Sequence, residues 1–191
     1  MRKKMSLVII GILIIFIGVG INYYINHYNN KVILHNIINR KGYSLDVHKE
    51  PIEIEVFIKP EWIPFDSDEP KNLYVKLCEK YNTDFILTQV WNRENDIYFS
   101  FDTSYHLNYK KGEFLYNGFF NEDGTFNTNS NINDFLVYDM ENESINLGQR
   151  GFGPNSAFSF GIRPDEYNKI RNGFHMKYSG LILYSYSLND Y

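Results

Sequence analysis

The chain has 191 residues, is rich in Tyr (16) and Phe (15), holds one cysteine and carries a net charge of −4. Arg2, Lys3 and Lys4 contribute +3, so −4 less +3 leaves −7 on the other residues. One cysteine excludes an intramolecular disulfide. The acidic body argues against nucleic acid, whose binding rests on Lys and Arg at phosphates, and against charge-driven adhesion to anionic lipid or wall polymer.

The basic start leads into an uncharged apolar run from Met5 to Ile21. As a helix such a run spans roughly 25 Å, slightly short of a bilayer core of about 30 Å. Asn22 to Ile25 can complete the crossing, with Tyr23 and Tyr24 suited to the membrane–water interface. The next basic residue is Lys31, so Arg2, Lys3 and Lys4 predict a cytoplasmic N-terminus and an extracytoplasmic remainder. A cleaved signal would want small residues at its cleavage site, which Gly18-Val19-Gly20 supplies poorly. A lipoprotein would want a cysteine directly after the run, and the one cysteine is Cys78. The reading is therefore an uncleaved signal-anchor over 1–25, a helical stalk over 26–42 and an extracytoplasmic domain over 43–191.

In the stalk, Tyr28, Val32, Ile33, Leu34, Ile37 and Ile38 recur at helical spacing. Arg40 and Lys41 suit a last turn, and Gly42 a C-cap. Such a stripe suits packing on the domain behind it; a spacer or a dimer helix are the other readings.

Ile52 to Ile58 alternates as a half-buried strand. Residues 60–70 hold three prolines and read as a loop. Leu73, Tyr74, Leu77, Cys78 and Tyr81 share one face of a predicted helix over 71–81, which makes Cys78 a small core residue. Strands are expected over 84–91 and 97–103, with alternation continuing at Tyr105, Leu107 and Tyr109 and again over 114–120. Asp123-Gly124 signals a hairpin. Residues 127–134 are polar. Phe135–Met140 and Ile145–Leu147 read as a hairpin, 148–155 as a Gly-rich loop, 157–162 as a strand and 164–171 as a short helix closed by Gly173. Strands over 174–178 and 181–187 end the chain. The fold class expected is β-rich α+β: a transmembrane helix, then an antiparallel sheet or sandwich-like domain with two short helices.

Chemistry is sparsely signalled. Asp66, Asp68 and Glu69 lack the glycine and the bidentate Glu of a calcium loop. The five histidines show no metal-ligand spacing, and no Gly-x-Ser-x-Gly elbow occurs. No metal and no cofactor are expected. Trp62 and Trp91 could form a sugar platform, and Arg150, between Gly148 and Gly151, could grip an anion; packing and a plain connection are the competing readings. The function expected is a single-pass, membrane-anchored module that binds an unknown protein or envelope ligand. Its bilayer contact is residues 5–25, with no nucleic acid. A glycan hydrolase working through a carboxylate pair and an immunity protein against a toxin are the alternatives.

Overall fold

The computed structural model describes residues 2–189 apart from Glu122, Ser130, Pro154 and Asn155; the side chains of residues 2–8, Lys49, Pro51 and Ile132 also lie outside the description. Arg2, Lys3 and Lys4 thus belong to the first helix by their backbone alone.

Helix α1 runs Arg2–Tyr28. Its window Ile9–Tyr28 has a mean hydropathy of 2.0, and none of it is buried against the rest of the chain. It is long and apolar enough to cross a membrane. Asn29 breaks the helix: its side chain accepts from Lys31 N and Val32 N, capping α2, Asn30–Ile38. The predicted stalk is therefore two helices. Arg40 N donates to the Ile37 carbonyl at 3.0 Å and Lys41 N to the Asn36 carbonyl at 2.8 Å, which is a Schellman close. Arg40 takes the left-handed position with φ 52°. The expected cap, Gly42, lies two residues further on, also at positive φ, and turns the chain into the first strand.

Strand β1 spans Tyr43–Ile58, far longer than the alternation over 52–58 indicated. The others are β2 Lys71–Lys80, β3 Thr83–Asn92, β4 Ile97–Tyr105, β5 Lys111–Tyr116, β6 Gly118–Phe120, β7 Phe126–Thr128, β8 Phe135–Tyr138, β9 Leu147–Phe152, β10 Phe158–Ile162 and β11 Phe174–Leu188; α3 is the single turn Tyr167–Ile170. One sheet has β11 at its centre, with β1 along one edge and β8 then β5 along the other; a second runs β2-β3-β4-β10-β9; β6 and β7 form a separate hairpin. All pairings are antiparallel.

The sheets pack face to face. Ile54, Val56 and Ile58 of β1 and Phe174 and Met176 of β11 meet Phe85 and Leu87 of β3, Phe99 and Phe101 of β4 and Phe158 and Phe160 of β10. Phe99 meets Phe174 edge-on at 5.2 Å between centroids, a geometry worth about 0.5–1.5 kcal/mol beyond the area buried. The other face of the first sheet is covered at one end by α2. There Ile33 and Ile37, both 0% exposed, and Leu34 close a second core over Tyr43, Phe114, Tyr116, Ile182, Tyr184 and Tyr186. The 26–42 segment is thus packed on the domain along α2.

Several expectations are corrected. Residues 71–81 form edge strand β2. Register shifts after Asn72 and Lys76 move the inward phase, and the displaced phase mimics helical spacing. Tyr81 and Asn82, at φ 48° and 54°, are the two-residue turn joining β2 to β3, the paired positive φ values that match strand twist. Cys78 is half-buried on that strand. The chain beyond Tyr105 leaves the sheet at His106–Asn108. Asn117, fully buried, separates β5 from β6. Phe135–Tyr138 joins β11, linked to the 145 segment by a bridge from Tyr138 to Ser144. The Gly-rich stretch is strand β9 as far as Phe152, with Pro154 and Asn155 outside the described residues.

Candidate functional site at the helix–domain junction

The sheet register places the aromatic and basic candidates. Val90, Phe99, Phe160 and Arg150 form one row across β3, β4, β10 and β9, on the inner face with the core phenylalanines. Trp91, one residue on, pairs with Tyr98 on the outer face, because neighbouring residues of a strand point to opposite faces. Trp91 and Arg150 therefore stand on opposite sides of the sheet and do not share a site. Trp91 is 38% exposed, and its Nε1 donates to the Asp68 carbonyl at 2.7 Å, tying down the Pro-rich loop. Beside it the Arg93 guanidinium lies 3.9 Å over the Tyr98 ring and grips Asp96 through both oxygens, at 2.8 and 2.7 Å. Trp62 is half-buried against the main core, with Lys59 Nζ 5.4 Å over its ring.

The sequence spacing concealed three histidine pairs: His175 Nδ1 lies 3.9 Å from Glu55 on the outer face of the first sheet, and the other two lie beside grooves. His48 Nε2 lies 2.8 Å from Ser185 Oγ, with Asp46 opposite Ser185 on β1 and Glu113 opposite it on β5. The group resembles a hydrolytic set only in composition. β11 is paired on both edges here, so its N–H groups belong to the ladders, whereas an oxyanion needs free, convergent donors. Asp46 and Glu113 share a shallow groove of about 530 Å³, two strand spacings apart, about 10 Å. Its one aromatic, Tyr186, is 3% exposed, so the groove lacks the flanking rings of a glycan cleft.

The other groove-side pair is Asp84 and His106. Asp84 begins β3 and is 8% exposed; His106 follows β4, and its Nε2 lies 2.7 Å from Asp84 Oδ2. A carboxylate can only accept, so Nε2 carries the proton and Nδ1 is left for a partner. Lys76 Nζ reaches Asp84 Oδ1 and Glu79 Oε2, each at 2.6 Å. Glu79, Asp84 and His106 could in principle offer a cation three ligand atoms, which lie within 4.8 Å of one another. The Lys76 ammonium already supplies the positive charge there, so a metal would have to displace it. Burial works to raise the Asp84 carboxyl, but hydrogen bonds from Lys76 and His106 and their charges outweigh it, leaving the pKa below the ordinary value.

His106 also lines a groove of about 810 Å³ between the last turn of α1 and the loop 106–110. The α1 wall is built by aromatic stacking: the His27 ring lies 4.0 Å from Tyr23 and 3.9 Å from Tyr109 of the loop. His27 Nδ1 meets the Tyr23 carbonyl at 2.8 Å, so it too is protonated there, with Nε2 uncommitted. Asn30 Oδ1 accepts from Leu107 N at 2.8 Å and Tyr43 OH donates to the Tyr109 carbonyl at 2.7 Å; the loop is thereby fixed to α2 and β1. Tyr23, expected at a membrane interface, thus lines a groove; Tyr24 stacks on Tyr28 at 5.6 Å.

No family model, curated protein or solved structure matches the chain.

Proposed function

We propose that the protein is a single-pass, membrane-anchored binding module, with its N-terminus cytoplasmic and its β-rich domain held against the outer membrane surface. The observation that carries this reading is the helix pair. The mostly apolar span Ile9–Tyr28 of α1 is left bare, whereas the domain buries most of its large apolar side chains, and bare apolar surface of that extent calls for a membrane or partner. Within nine residues of the end of α1, Ile33, Leu34 and Ile37 are locked into the second core. A free stalk is thereby replaced by a direct mount. Orientation rests on Arg2, Lys3 and Lys4 preceding the apolar run. Binding is favoured over catalysis because the described acid and histidine clusters are already neutralised or paired, at Asp84, Asp96 and Ser185.

A C-terminal tag on the full chain, exposed to protease on intact protoplasts, tests the topology. Digestion of a full-length product is expected. Protection of the tag would reverse the orientation, and a product about 2 kDa shorter would show that the helix is removed as a signal.

A further inference from the structure

We propose that the groove at the helix–domain junction binds an anionic phospholipid, its phosphate headgroup in the polar groove and one acyl chain along α1. The proposal rests on the membrane-anchored reading above.

The polar part is lined by groups that each keep one function free. Among the described residues, His27 and His106 each have one nitrogen committed to the protein and one uncommitted. Asn108 accepts from Lys110 N through Oδ1 at 2.9 Å, which leaves its NH₂ to donate. The Lys110 ammonium makes no ion pair among the described residues. Among the described residues, no Asp or Glu lines this groove. The acid nearest to it in the hydrogen-bond network, Asp84, is already met by Lys76 and His106. So the body as a whole repels anions, while this wall offers donors without a competing carboxylate. Charge-assisted contacts of this kind are the ones phosphate oxygens favour.

The tail is indicated by a second groove, about 520 Å³, which shares Tyr23 and His27 with the first and continues along α1 past Asn22 to Val19, Gly18 and Ile15. At Gly18 an added side chain would meet nothing within 4 Å, so this stretch of α1 is open surface that an acyl chain can lie along. A free phosphate would use the polar groove alone; a lipid uses both. A combined space of this size and mixed character suits one bound amphiphile.

The full chain in a neutral maltoside detergent, given equimolar phosphatidylglycerol and phosphatidylcholine and analysed by native mass spectrometry, tests the assignment. At least tenfold preferential retention of phosphatidylglycerol is expected. Lys110→Gln, at an exposed loop position, should bring it close to the phosphatidylcholine level, and Gly18→Leu should weaken retention by placing a bulky side chain in the path of the acyl chain. Equal retention of the two lipids, or no change in either variant, would overturn the proposal. Competition by glycerol phosphate as effective as that of the whole lipid would overturn the lipid assignment in favour of a soluble anion. Carbonate extraction of membranes holding the same chain separates the premises: release of the chain defeats the anchor and the lipid site together, whereas a retained chain without lipid preference defeats the lipid site alone.

Discussion

Asp84 shows how a single residue couples stability to acidity at the edge of the groove. Its folded pKa is held below the ordinary 3.8. A depressed carboxylate contributes stability above its unfolded pKa, and that contribution is lost as pH falls through the folded value. Asp84→Asn is therefore expected to destabilise the protein at pH 7, with the gap to wild type closing as the pH falls below 3.8. Denaturant melts at pH 7 and at pH 3 read this directly; an equal deficit at both would show that the charge of Asp84 contributes nothing. His106 and Lys76 were present in the sequence as isolated letters. They are 30 residues apart and converge on Asp84 only because a two-residue turn at Tyr81-Asn82 folds β2 back on β3 while β4 returns beside it. Trp62, Trp91 and Arg150 stand out in the sequence by residue type and by their places in loops or at a strand end, but the face each occupies depends on register, which a single sequence does not display.

At the scale of elements, α2 joins the apolar helix to the domain. Ile37 is fully buried under the Tyr-rich face of β1, β5 and β11. Ile37→Ala is expected to cost about 2–5 kcal/mol by cavity formation and to loosen α2 from the sheet, read as faster amide exchange at 33–38 and at Tyr184 and Tyr186. A loss under about 0.5 kcal/mol, the size ordinary for a surface substitution, would mean that α2 sits on the surface as a free stalk. This helix was legible because apolar spacing and a basic end agree, whereas its start at the Asn29 cap was not read. Strand β2 was not, because its two register shifts put Leu73, Leu77 and Cys78 at intervals that a helix also produces. The long strands β1 and β11 were half legible. Their inward residues change phase near His48–Ile54 in β1 and at Ser179-Gly180 in β11, so a simple alternation breaks in mid-strand.

At the scale of the whole molecule, the fold is a two-sheet sandwich with a helical cover at one end and an uncovered apolar helix leaving from that same end. The β-rich class and the apolar helix were readable from composition and periodicity. The mount was not, since it depends on Tyr109 meeting His27 across 82 residues. That contact fixes the 106–110 loop at the foot of α1, whereas the turn after β8 lies towards the opposite end of β11. Under the membrane-anchored proposal, that contact holds the domain in one pose with the loop facing the lipid. Depth measurement is the most direct test. In a Cys78→Ser background reconstituted in nanodiscs, spin labels would be placed at Asn108→Cys and, separately, at Glu141→Cys, and relaxation by a lipid-borne paramagnetic metal compared. The account predicts strong relaxation at 108 and little at 141. Equal relaxation at the two positions would show a domain that tumbles freely on its anchor and would contradict the direct mount.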